Sequence, residues 1–183
     1  MLATKQNVFD DFAAAAEYLI REKVTSSDRL AISGRSNGGL LVAASIVQHP
    51  SLFKAAVCGV PLTDMVRYHL LQIARLWIPE YGSSENADEF SHLYAYSPYH
   101  HVTSSTAYPA TLIFSAESDT RVDPMHARKF AARLQAATSS KAPILLRIEG
   151  KAGHGAGKPL GKIIAQYTDE LSFLFGELGL SAP

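Results

Sequence analysis

The 183-residue chain has a single cysteine, one tryptophan and no excess of charge of either sign, with 17 basic and 17 acidic residues. One thiol, Cys58, cannot form an internal disulfide, so the fold does not depend on an oxidising compartment. It also rules out a thiolate cluster for zinc. Balanced charge without a basic run or an acidic tail gives no footprint for nucleic acid or a membrane surface. No apolar run is long enough to span a bilayer, and Met1-Leu2-Ala3-Thr4-Lys5-Gln6-Asn7 lacks the apolar core of a signal peptide. A cytoplasmic location is the expectation. Seven histidines raise the question of a metal, yet His69, His100 and His101 show no H-E-x-x-H spacing. No metal and no cofactor are expected. His49, His92 and His126 read as surface or helix-end residues.

An apolar content of 47% supports a sizeable core, and the length suits one domain, or a large part of one, over residues 1–183. Ser33-Gly34-Arg35-Ser36-Asn37-Gly38-Gly39 follows the apolar run Arg29-Leu30-Ala31-Ile32. It precedes Leu40, Leu41, Ala43, Ala44, Ile46 and Val47 at helical spacing. Strand, glycine-flanked serine and helix together form the context of a nucleophile elbow. Gly34 and Gly38 are expected to remove Cβ atoms that would clash in the tight turn. Ser36 would stand at the positive end of the following helix dipole, with the Asn37 N–H aimed at an oxyanion. By itself the stretch also fits a plain Ser/Gly turn before a helix.

Elsewhere, Phe9, Phe12, Ala13, Ala16, Leu19 and Ile20 predict a helix over residues 7–23. Ala55–Val60 reads as a buried strand, and residues 110–116 and 143–148 as two more. Helices are expected from Pro124 to Ala137 and from Pro159 to Leu178. Residues 62–101 are irregular and rich in aromatics, a usual setting for a substrate pocket. Strands alternating with helices imply a parallel sheet of about four strands, an α/β fold with ligands beyond the carboxyl ends of its strands.

An activated serine needs a base and a group that orients the base. Past the third strand stand Asp119 and Asp123. Asp123 precedes Pro124 at a helix start, where an aspartate caps, which leaves Asp119 for the orienting role. Past the fourth strand, His154 lies among the glycines of Gly153-His154-Gly155. Ser36, Asp119 and His154 thus follow the order Ser…Asp…His, each beyond a different strand.

Lys5-Gln6-Asn7-Val8-Phe9-Asp10-Asp11-Phe12, the elbow through Leu41, Asp119-Thr120-Arg121-Val122 and the stretch Lys151–Pro159 closely resemble the prolyl oligopeptidase family of serine peptidases. The resemblance implies an α/β-hydrolase fold, Ser36 as nucleophile, Asp119 and His154 as its partners, and the Asn37 N–H as an oxyanion donor. It implies that Trp77 stacks on a substrate proline, that Tyr81, Val122 and Leu62 form other walls of that pocket, and that Arg121 binds a substrate carbonyl. From the residues alone, Trp77 also fits a core position and Arg121 a surface ion pair. Family members also carry a β-propeller, earlier sheet strands and an upstream tyrosine of the oxyanion hole, none of which this sequence contains. The expected activity is acyl transfer on esters and short proline-containing peptides. The competing expectation is an incompetent fragment, or a binding module that retains the triad residues. With the Leu30 strand at an open sheet edge, a homo-oligomer is expected.

Overall fold

The computed structural model describes residues 2–155 and 158–181. Ala156 and Gly157, part of the stretch singled out above, lie outside the described residues, as does Met1. Four strands, β1 (Ala31–Arg35), β2 (Ala55–Gly59), β3 (Ala110–Ala116) and β4 (Ile144–Glu149), form one parallel sheet in the order β1-β2-β3-β4. Between and around them run α1 (Gln6–Arg21), α2 (Asn37–Gln48), α3 (Ile78–Tyr81), α4 (Ala87–Tyr96), α5 (Pro98–His101), α6 (Met125–Ala137) and α7 (Leu160–Leu178).

Register explains the two faces. Cys58 pairs with Ile113, and Ile32 with Ala56. These side chains share a core with Ala16 of α1, Val42 and Ile46 of α2, and Phe130 and Leu134 of α6. The alternate set, Val57 beside Leu112, packs against Phe173 and Leu174 of α7. Both central strands, β2 and β3, are therefore buried along their whole length, which is why β2 reads in sequence as a continuous apolar run and β3 as one interrupted only by Thr111 and Ser115. Each side chain such as Phe130 or Leu134, withdrawn fully from water, contributes about 1.5–3 kcal/mol.

The strand expected at Leu30 begins later than its apolar run suggests. Ser27–Arg29 form a 3-10 turn, and β1 carries on through Gly34 to Arg35. It does lie at a sheet edge, but its apolar side chain is covered, because Ile32 sits in the core beneath α1 and α2. Exposed apolar side chains gather instead at Leu70, Ile73 and Leu76, on β4 (Leu145, Leu146) and on α7 (Leu160, Ile164, Leu171). Among the described residues, no helix is long and apolar enough to cross a membrane.

Residues 62–101 resolve into short pieces: 3-10 turns at Tyr68–Leu70 and Ala74–Trp77, then α3, α4 and α5. Their aromatics form a second core, with Tyr68, Tyr81, Tyr96 and Leu93 packed against Phe9 of α1 and Leu40 of α2. This cluster holds the segment above the carboxyl end of β1.

His126 stands in the first turn of α6, at a helix end as the sequence suggested, but not at the surface. It is buried, and its Nδ1 accepts from the N–H groups of Thr63 and Asp64 at 3.2 and 3.1 Å. The Thr63 hydroxyl donates to the His126 carbonyl at 2.8 Å. Burial pushes the imidazole down to about 4, so it stays neutral and keeps its acceptor. Beside it, Asp64 accepts from Lys129 at 2.5 Å and Arg67 at 3.0 Å. Burial opposes ionisation of this carboxyl, but those two hydrogen bonds and the cations that make them hold it below the usual carboxylate range. A polar hub thus fastens the start of the insertion to α6. Unpaired, its buried groups would be costly.

Candidate active site

The elbow is built by contact, not by composition alone. Ser36 takes φ +58°, ψ −119°, a backbone state that non-glycine residues rarely hold without support. Support comes from the Ser36 N–H, which donates to the Gly59 carbonyl of β2 at 2.9 Å, and from the Leu40 N–H on the Ser36 carbonyl. A Cβ on Gly34 would stand 2.3 Å from the Gly38 carbonyl oxygen, and one on Gly39 would stand 2.5 Å from the Gly59 oxygen. Either would force the turn open. The expectation for Gly38 is corrected: a Cβ there would meet nothing within 4 Å. What Gly38 supplies at the close approach is its carbonyl, and the second residue that must stay bare is Gly39.

The turn aims Ser36 at His154. The serine Oγ lies 3.1 Å from His154 Nε2, and His154 Nδ1 lies 2.7 Å from Asp119 Oδ2. Asp119 Oδ1 accepts from the N–H groups of Arg121 and Val122, each at 2.9 Å. Burial alone would raise this carboxyl, but the His154 hydrogen bond and the two backbone donors outweigh it and hold it below the usual range. Asp119 is therefore an ionised acceptor that fixes the imidazole with Nδ1–H toward it and Nε2 toward the serine. The two loops are joined behind the side chains, as Ser118 N–H donates to the Ala152 carbonyl and Glu117 N–H to that of Glu149. Asp123 is where a cap should be: its carboxylate accepts from the Met125 N–H at 2.8 Å at the start of α6.

Asn37 opens α2, where the first N–H groups have no acceptor within the helix. A cavity of about 140 Å³ adjoins it, lined by Ser36, Asn37, Leu62, Trp77, Glu80, Tyr81 and Arg121. It is smaller than the roughly 300–1,000 Å³ that holds a drug-sized ligand, and it suits one compact side chain. Five substrate-side residues were expected here, and four line it. The fifth, Val122, is not among the lining residues. It is buried in the cluster with Leu62 and Tyr81, and its N–H holds Asp119. Trp77 is half-buried, packed on that cluster while facing the cavity. Arg121 lies over its ring at 5.7 Å and makes no ion pair among the described residues. Glu80 in the cavity wall was not singled out in the sequence, and Lys5, buried nearby, stood only as the first residue of a motif, with no role at the site.

A larger cavity, about 430 Å³, lies between β4 and α7 against Leu112, Leu145, Leu146 and Phe173. Arg147, Asp169 and Ser172 also line it, but the Asp169 carboxylate is taken up by the Arg147 guanidinium at 2.6 Å and the lining includes no histidine, whereas the smaller cavity opens on Ser36. Among the described residues no three His, Cys, Asp or Glu side chains are grouped to hold a metal. Cys58 is buried against the Gly39 carbonyl, and burial drives its thiol far up, which leaves it unreactive.

The chain is similar to known proteins over almost all of its length. A prolyl endopeptidase from Elizabethkingia meningoseptica is 46% identical over 179 residues, 97% of this chain and 25% of its own length. A chain from a structural study of two prolyl endopeptidases is 56% identical with a TM-score of 0.95, over 98% of this chain and 27% of that one. Prolyl oligopeptidase B from Galerina marginata, solved with a 35mer hydrolysis and macrocyclization substrate, is 41% identical at a TM-score of 0.93, over 100% of this chain and 26% of that one. The chain thus spans about a quarter of the length of the relatives it matches. The sheet and its flanking helices are those of the catalytic α/β-hydrolase domain of such enzymes. The prolyl oligopeptidase family profile matches residues 1–181, and this chain belongs to that family.

Proposed function

We propose that the chain carries the acyl-transfer centre of a serine peptidase that cleaves after proline. The observation that carries this is the continuous relay Asp119–His154–Ser36, at 2.7 and 3.1 Å, ending beside a Trp77-walled cavity sized for one small ring. In this reading Ser36 Oγ attacks the carbonyl carbon while His154 Nε2 takes the hydroxyl proton. Asp119 keeps the imidazole in the required tautomer and stabilises the imidazolium that forms. The Asn37 N–H donates to the oxyanion. His154 then passes its proton to the departing amine or alkoxide, leaving an acyl group on Ser36. A water molecule, deprotonated by His154, releases it. Trp77 stacks on the substrate proline, with Leu62 and Tyr81 beside it, and Arg121 donates to a substrate carbonyl.

Esters with a good leaving group need less stabilisation of the oxyanion than amides, so ester turnover is the more sensitive readout for this chain. The test is pre-steady-state release of nitrophenol from a proline nitrophenyl ester, alongside a proline anilide. A burst of one equivalent that vanishes in Ser36→Ala supports the reading. Hydrolysis that Ser36→Ala leaves unchanged refutes it, and binding of proline peptides without turnover would instead favour a binding module.

A further inference from the structure

Lys5 is the residue just before α1, in a turn whose other side chains face water, yet it is only 5% exposed. Its ammonium reaches across to the opening turn of α2 and donates to Asn37 Oδ1 at 3.2 Å. It stands 3.5 Å from Glu80 Oε1 and 5.0 Å above the Tyr81 ring. A buried lysine is costly unless its charge is met, and here a carboxylate, an amide oxygen and an aromatic face meet it.

The amide oxygen is shared. Tyr81 donates its hydroxyl to the same Asn37 Oδ1 at 2.9 Å. Burial, and then the Glu80 carboxylate, push the phenol upward, so the hydroxyl remains a donor. Two donors on one oxygen settle the orientation of the Asn37 amide, because a flip would set its NH₂ against both of them. Either donor alone still resists the flip, and the loss of both frees it. Asn37 is the residue whose backbone N–H follows the strained Ser36, so anything that rocks its side chain tilts that N–H.

We propose that Lys5 is a positioning residue for the acyl-transfer step, acting with Tyr81 to clamp Asn37 so that its backbone N–H faces the oxyanion. The proposal rests on the reading of Asn37 as oxyanion donor given above. It also assigns the irregular first turn a task in the site: the segment before α1 reaches Asn37, the neighbour of Ser36, through one ammonium.

The test is a double-mutant cycle of Lys5→Met and Tyr81→Phe, read in kcat with a proline nitrophenyl ester and in the 15N–1H cross-peak of the Asn37 backbone amide. Lys5→Met lowers kcat about tenfold, the scale of a modest misalignment at a reacting centre. It also raises KM, since Glu80 then faces the cavity unpaired. The double variant loses more kcat than the product of the two single losses, because the two donors share one acceptor. Losses that simply multiply, or an unchanged kcat in folded Lys5→Met, overturn the proposal. If the wild type shows no Ser36-dependent turnover, the functional reading fails and the cross-peak decides. Displacement in Lys5→Met supports the clamp, and an unmoved peak refutes it. Should Lys5→Met not fold, Lys5→Arg keeps the charge toward Glu80 while displacing the donor. A lowered kcat and a displaced peak in Lys5→Arg then support the clamp, and an unchanged kcat or an unmoved peak refutes it.

Discussion

The buried His126 makes stability depend on pH in a window set by its own titration. Its ordinary value of 6.5 falls to about 4 in the folded chain. The unfolded chain therefore takes up a proton below pH 6.5 that the folded chain refuses until near pH 4. The sign follows: stability is lost as pH falls from 6.5 towards 4, because the unfolded state binds more protons there. Between pH 7 and pH 4.5 the loss from this group comes to about 2–3 kcal/mol. Asp64 and Asp119, whose folded values lie below the carboxylate reference of 3.8, lose their contributions only at lower pH. They stay out of this window. His100 is also lowered, by burial, and adds to the same slope, so the measurement needs a subtraction. His126→Asn supplies it, since its amide oxygen accepts the Thr63 and Asp64 N–H bonds without titrating. Urea unfolding of both proteins at pH 7 and pH 4.5 isolates the contribution of His126. Wild type should lose about 2–3 kcal/mol more than the variant over that interval. Parallel losses would show that His126 is not held neutral, and the account of how the insertion is fastened to α6 would fail.

The other expectations concern the site and the assembly. Asp119→Asn should lower kcat by about 10⁴-fold with little change in Tm, since the amide leaves the imidazole in the wrong tautomer. Asp123→Ala should leave kcat nearly intact and cost about 0.5–2 kcal/mol of stability through the lost cap. Rate and Tm effects the other way round would exchange the two aspartates. Trp77→Ala should erase the preference for proline over alanine at the acyl position, as read from kcat/KM for the two nitrophenyl esters. An unchanged ratio would return Trp77 to the core alone. The open edge of β1 predicts self-association in sedimentation equilibrium at micromolar concentration, and a monomer throughout would refute it.

How far the sequence carried the fold depended on how local each determinant was. β2 and β3 were plain because strands buried on both faces read as nearly continuous apolar runs, with only Thr111 and Ser115 interrupting β3. The helices α1 and α2 showed their apolar faces by period, and the ends of α1, α6 and α7 fell within two residues of expectation. The elbow was legible because its chemistry is contiguous, although which glycine must lack a Cβ was not. Gly39 is constrained by the carbonyl of Gly59, twenty positions on, and no local pattern announces that. The insertion resisted reading for the same reason. Its turns are set by Tyr68, Tyr81 and Tyr96 packing on α1 and α2, and by the His126–Asp64 hub, all contacts between distant segments. Lys5 and Glu80 were invisible as a pair, because 75 residues separate an exposed-looking lysine from a helix glutamate until the fold sets them 3.5 Å apart.

Every role proposed for the site depends on Ser36 being the activated nucleophile. The most direct measurement is exposure of the protein to a fluorophosphonate probe, followed by peptide mapping of the adduct by mass spectrometry. The relay predicts one stoichiometric adduct on Ser36, formed far more slowly in His154→Ala and absent from Ser36→Ala. An adduct on another residue, or one on Ser36 at the same rate without His154, would contradict it.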